Sequence, residues 1–144
     1  MKLHLESDIG GRGVIVNREV EVRRQPGSNL GDRTDIHVDA IAPSPRPEQF
    51  DRVTVIVEVK GCWNRELDSA MGKQLRDKYM RESSCEHGLY LVAWFNCDKW
   101  DPEDTRARPG MTVDEALIHF SRQAESTSSG GIIIGAYVLD VHLP

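Results

Sequence analysis

Cysteine is scarce in this chain: Cys62, Cys85 and Cys97 are the only three, an odd number at wide spacing. That argues against a disulfide framework. With no CxxC pair, Cys85, His87 and Cys97 also lack the ligand pattern of a zinc site, so free thiols, buried or half-buried, are expected. No apolar run approaches the ~20 residues a membrane-crossing helix needs, and Met1 to Glu6 lacks the apolar stretch of a signal peptide. A cytoplasmic protein with no membrane partner is expected. Positive charge is not in surplus either: Lys and Arg number 18 against 23 Asp and Glu, a net charge of −5. Bulk attraction to nucleic acid is therefore not to be assumed, although carboxylates filled by divalent cations reverse the local sign.

What is present suits one globular domain. The 144 residues are 39% hydrophobic and 28% charged, enough for a single core and short for two. Residues 1–13 end in Gly10-Gly11-Arg12-Gly13 and carry no periodicity, so a flexible arm or the remnant of an upstream segment is expected there, with the domain proper spanning 14–144. Val14 to Arg24 alternates, with Val14, Val16, Val20 and Val22 on one side and Ile15, Asn17, Glu19, Glu21 and Arg23 on the other, a half-exposed strand. Turn chemistry runs from Gln25 to Asp32. Thr34 to Ile41 is a second strand with Asp35, His37 and Asp39 on one face, where the plainest reading is a solvent-facing polar stripe. Pro43, Pro45 and Pro47 then make a loop.

The organising stretch is Val53 to Gly61. Its valines share one face, and Thr54, Ile56, Glu58 and Lys60 share the other. So valine-rich a strand is expected to be central and buried, and a buried Glu58 and Lys60 would each need a counterpart. Arg65 to Met80 reads as a helix with Leu67, Met71, Leu75 and Tyr79 four apart, Asn64 as N-cap, and Gln74 and Lys78 flanking the apolar stripe. Gly88 to Phe95 is an apolar run expected to be a buried central strand. After a charged loop from Asp98 to Gly110, Thr112-Val113-Asp114-Glu115 is a capping box, opening a helix that buries Val113, Ala116, Leu117, Phe120 and Ala124. Ile132 to Val141 is the last strand. The order β, β, β, α, β, α, β implies an antiparallel meander followed by parallel additions, an α/β (α+β) domain with a mixed sheet of about five strands flanked by helices.

If the second and third strands pair, Asp35 comes near Glu58. Two carboxylates with the backbone carbonyl of Val59 would make a hard-oxygen site suited to Mg²⁺ or Mn²⁺. Lys60, beside Glu58, would then orient or deprotonate an attacking water or steady the transition state, which is the chemistry of phosphodiester hydrolysis. The rival reading of the same residues is a structural salt bridge. Asp39 competes with Asp35 for the metal, and His37 between them is expected to be solvated or to support a ligand. Trp63 and Trp100 are offered either to base stacking or, more plainly, to a core edge.

An aspartate, then Glu-x-Lys at a strand end, then a helix bearing Gln resembles the restriction-endonuclease-like superfamily of PD-(D/E)xK phosphodiesterases. Gly31-Asp32-Arg33-Thr34-Asp35-Ile36 carries the first motif, with Thr where the family has a loose Pro, and Glu58-Val59-Lys60 carries the second. Gln74-Leu75 with Tyr79 is similar to the Gln and Tyr motif of some nuclease branches, one residue longer in spacing. The resemblance implies Asp35 and Glu58 as metal ligands, Lys60 as the catalytic lysine and Gln74 as a supporting residue. It further implies a restriction-endonuclease-like core acting on DNA with Mg²⁺ or Mn²⁺, in a bacterial defence or repair protein fused to or associated with ATPase or sensor modules, with a homodimer as one arrangement. Family members commonly open with a helix that covers the first strands and supplies a further Glu. Either Glu6 or Glu19 takes that place here, or the chain is a segment of a larger protein. The alternative function is a catalytically inactive module of the same fold, serving nucleic-acid binding or protein docking.

Overall fold

The computed structural model describes residues 14–23, 32–43, 50–95, 101, 103 and 111–141. The arm at 1–13 with Glu6, the turn at 25–31, Pro45, Pro47, Cys97, Trp100 and most of the charged loop lie outside the described residues. So does the side chain of Glu19.

Five strands form one mixed sheet in sequence order: β1 (Val14–Arg23), β2 (Asp32–Pro43), β3 (Phe50–Gly61), β4 (His87–Trp94) and β5 (Ile133–Asp140). β1, β2 and β3 pair antiparallel, and β4 and β5 add in parallel, each reached through a helix. The α+β class, the element order and the meander-then-parallel arrangement agree with the hydrophobic periods of the sequence. The strands β2 and β3 each run beyond the expected bounds, with Pro43 closing β2 instead of opening the loop.

The first helix, α1, runs as α-helix over Leu67–Ala70 and with the wider i→i+5 winding over Met71–Met80. Asn64 does not cap it. Its side chain accepts the Glu66 N–H at 2.8 Å, making a turn one step earlier, and the N-cap is Glu66, with no side-chain cap bond. Leu67, Met71, Leu75 and Tyr79 are buried as their spacing requires. Beyond its C-terminal end Ser84 takes a positive φ of 50° while the Cys85 N–H returns to the Met80 carbonyl. The second helix, α2 (Val113–Thr127), opens on the expected capping box: Thr112 Oγ1 accepts the Glu115 N–H at 3.2 Å and Glu115 Oε2 accepts the Thr112 N–H at 2.8 Å.

Both helices pack on the same face of the sheet. Their buried residues join Ile56, Tyr90, Val92, Trp94, Ile134 and Val138 in one cluster, with the Tyr90 hydroxyl donating to the Leu67 carbonyl at 2.7 Å. α1 meets α2 where Asp68 Oδ1 lies 3.1 Å from His119 Nε2 and the Asp68 carbonyl accepts from Gln123. The opposite face carries the smaller cluster of Val16, Ile36 and Val57, and no helix covers it among the described residues.

Four expectations change. The sheet is not flanked by helices on both faces among the described residues. β3 is central, yet its valine face is the thinly covered one, with Val53 47% exposed, while Ile56 and Glu58 are buried on the face that α1 packs against. β4 alternates half-buried and buried residues instead of being buried throughout, for the same reason. Leu117, expected in the core, is 37% exposed on the flank of α2. Cys62 and Cys85 are free and buried, as expected of them.

Candidate functional site

Register explains why three chemistry-bearing residues come together. β2 and β3 pair from Pro43↔Phe50 to Ile36↔Val57, and there the pairing stops. Asp35 is the next residue on β2 and Glu58 the next on β3, so they stand across from each other on the helix-covered face. With no β2 carbonyl opposite it, the Val59 N–H is satisfied instead by Asp35 Oδ2 at 2.8 Å. In an extended strand a residue's N–H and C=O point to the same edge, so the Val59 carbonyl also opens toward Asp35.

Glu58 is 2% exposed, an unusual place for a carboxylate. Its Oε1 lies 2.6 Å from Lys60 Nζ, and the Lys60 side chain is itself only 14% exposed. Burial pushes the Glu58 carboxyl above its ordinary value of 4.5. The hydrogen bond from Lys60 opposes that, the charge of Asp35 adds to it, and the charges of Lys60 and Lys78 oppose it further. The sequence places Lys78 on the flank of α1 without assigning it to the site; its action on Glu58 depends on how the helix docks, which spacing does not give.

Gln74 is not joined to this group by its observed hydrogen bond. Its Nε2 donates at 2.6 Å to Oε2 of Glu66, the N-cap of α1. The neighbours of Glu19, Arg18 and Val20, pair with Ile36 and Thr34, so the Glu19 backbone on β1 stands directly opposite Asp35 of β2.

Asp39 has a separate set of partners, two turns of the pleat away. Its Oδ1 accepts from Thr54 Oγ1 at 2.6 Å and from Arg52 Nε at 3.0 Å, and it is 9% exposed. Burial pushes its carboxyl up, but the hydrogen bonds from Thr54 and Arg52 and the charges of His37 and Arg52 outweigh that and hold it below the ordinary 3.8. His37 Nε2 sits 3.4 Å from the same oxygen, and neither ring nitrogen has a hydrogen-bond partner among the described residues. The polar face of β2 is thus not the solvent-facing stripe its alternation suggests. Asp35 and His37 are half-buried and Asp39 is buried, held by β3 side chains that the β2 sequence alone does not reveal.

Trp63 folds back over Gly61 and packs its ring 5.0 Å from that of Phe95, remaining 40% exposed just beyond Lys60. No group of three or more His, Cys, Asp or Glu side chains able to hold a metal occurs among the described residues. No protein-family model, curated protein or solved structure matches the chain. No described helix is long and apolar enough to cross a membrane.

Proposed function

We propose that this domain is a metal-dependent phosphodiesterase acting on DNA, with Asp35 and Glu58 as ligands of a Mg²⁺ or Mn²⁺ ion and Lys60 as the catalytic lysine. The observation that carries the reading is the buried Glu58, 2% exposed, pressed against Lys60 and facing Asp35 at the point where β2 and β3 stop pairing. A structural ion pair has no need of the second carboxylate, whose charge makes ionised Glu58 harder to keep. The donor set fits a hard divalent cation, since the two carboxylates and the Val59 carbonyl are all oxygen ligands. The order of elements, a meander followed by parallel strands reached through helices, supports a restriction-endonuclease-like core.

Such an ion, when bound, supplies Lewis acidity toward a phosphoryl oxygen and eases ionisation of a water. The chain's own residues do the rest. Lys60 holds its ammonium beside the carboxylate pair, where it can bind a non-bridging phosphate oxygen and offset the charge that builds there as the bond to the attacking oxygen forms. Asp35 keeps its place through the Val59 N–H, which fixes the distance between the two strands' side chains at the site. Gln74 would reach the site only by exchanging its bond to Glu66, so its supporting role is secondary in this reading.

Incubating linear, circular and single-stranded DNA with the purified protein in Mg²⁺, Mn²⁺ or EDTA tests the proposal. Cleavage that needs the metal and falls by two orders of magnitude or more in Glu58→Ala and Lys60→Ala is expected. Undiminished cleavage in both folded variants refutes it. Metal uptake without cleavage would point to an inactive module of the same fold.

A further inference from the structure

The two edges of the sheet are built differently. β1, at one edge, carries Arg18, Glu19, Glu21 and Arg23 and has a register irregularity between Glu21 and Arg23, both features that discourage pairing with another chain. β5, at the other edge, reads Ile-Ile-Gly-Ala-Tyr-Val-Leu before its first charge, Asp140, with neither Pro nor Lys. Ile133 is 59%, Tyr137 54% and Leu139 38% exposed on the thinly covered face.

The hydrogen bonds of β5 fix which of its groups look outward. Ile133 and Val141 donate to the Glu86 and Trp94 carbonyls, so the odd-numbered residues face β4 and the N–H and C=O of Ile134, Ala136, Val138 and Asp140 point away from the sheet. The Ile134 N–H is taken by the Ser128 hydroxyl, which accepts it at 3.0 Å while donating its own proton to the Ala124 carbonyl at 2.8 Å. Ala136 and Val138 have no such cover among the described residues.

We propose that β5 is an interface between two copies of this chain, paired antiparallel about a two-fold axis at Tyr137. In this register Ala136 of each copy faces Val138 of the other and the pairs exchange N–H and C=O groups, while Ser128 keeps its place on Ile134. Tyr137 meets its own equivalent, and Leu139 lies across from Gly135, where even an added Cβ would have only the Leu89 side chain at 3.7 Å. Along β5 no charged side chain is set opposite another, Asp140 falling across from Ile134. α2, which packs on β5, offers the half-exposed Leu117 on the flank opposite the His119 and Gln123 that meet α1. The occupant is a second copy because an edge strand with one central pair of open residues complements itself. The inference stands apart from the nuclease reading.

Sedimentation over a concentration series, with a paired disulfide test, decides it. The wild-type chain is expected to associate to a dimer, and Tyr137→Lys to remain a monomer with an unchanged circular-dichroism spectrum, because like charges would meet at the axis. In a Cys97→Ser background, Tyr137→Cys should cross-link to itself on oxidation, its Cα atoms being about 4.5 Å apart. Leu139→Cys should not, since its equivalents lie about 13 Å apart along the strands. A wild-type chain that is monomeric at every concentration, or cross-linking as efficient at Leu139 as at Tyr137, overturns the proposal.

Discussion

Asp35 takes the Val59 N–H at 2.8 Å in place of the strand carbonyl that should be there, because β2 stops pairing with β3 one residue earlier. A side chain thus substitutes for a rung of the sheet, and in doing so is held opposite Glu58. The local fault in the ladder and the assembly of the charged group are one event.

Glu58 is expected to weigh on the fold when no cation is present. Its carboxyl is raised above 4.5, mainly by burial, so folding favours the protonated form. Its stabilising contribution is complete below 4.5 and is lost as the pH rises through the raised value. Glu58→Gln, which mimics the protonated acid, should therefore melt about 2–4 °C above the wild type at neutral pH in EDTA, the shift about 1 kcal/mol produces in a domain of this size. The difference should vanish in acid. A variant melting well below the wild type at pH 7 would mean that the bond to Lys60 outweighs burial.

Asp39 should behave in the opposite sense. Its carboxyl is held low by Thr54, Arg52 and His37, so its contribution is present above 3.8 and is lost as the pH falls through its depressed value. Asp39→Ala leaves the Thr54 hydroxyl and the Arg52 guanidinium without that acceptor and should cost about 1–3 kcal/mol in urea unfolding at pH 7, with the gap to the wild type closing in acid. DNA cleavage per folded molecule should survive, since these partners commit Asp39 to the fold.

Gly61, at the end of β3, leaves room for the Trp63 ring. A Cβ there would overlap the indole of Trp63. Gly61→Ala should swing that ring off Phe95, red-shift the tryptophan emission and cost about 1–2 kcal/mol. An unchanged spectrum would show that Trp63 does not rest there in solution.

Much of this was legible in the residues. Period-2 alternation located the strands, the four-residue spacing of Leu67, Met71, Leu75 and Tyr79 located α1, and Thr112 with Glu115 marked the start of α2. Asp35 opposite Glu58 followed from assuming that neighbouring strands pair. What stayed hidden depended on which face the helices choose. The valines of β3 and the polar residues of β2 each suggest the wrong solvent side, because α1 settles on the Ile56 face of β3 and α2 on the same face of the sheet at β5. Gln74 could not be directed from its spacing alone, since Glu66, eight residues earlier, competes for its amide.

The central claim is that Asp35 and Glu58 share one cation. Titrating Mn²⁺ into the folded protein by calorimetry, for the wild type, Asp35→Asn, Glu58→Gln and Asp39→Asn, tests it most directly. One binding event seen in the wild type and in Asp39→Asn, and lost in both Asp35→Asn and Glu58→Gln, is predicted. Equal uptake by the wild type and by the Asp35 and Glu58 variants would contradict it.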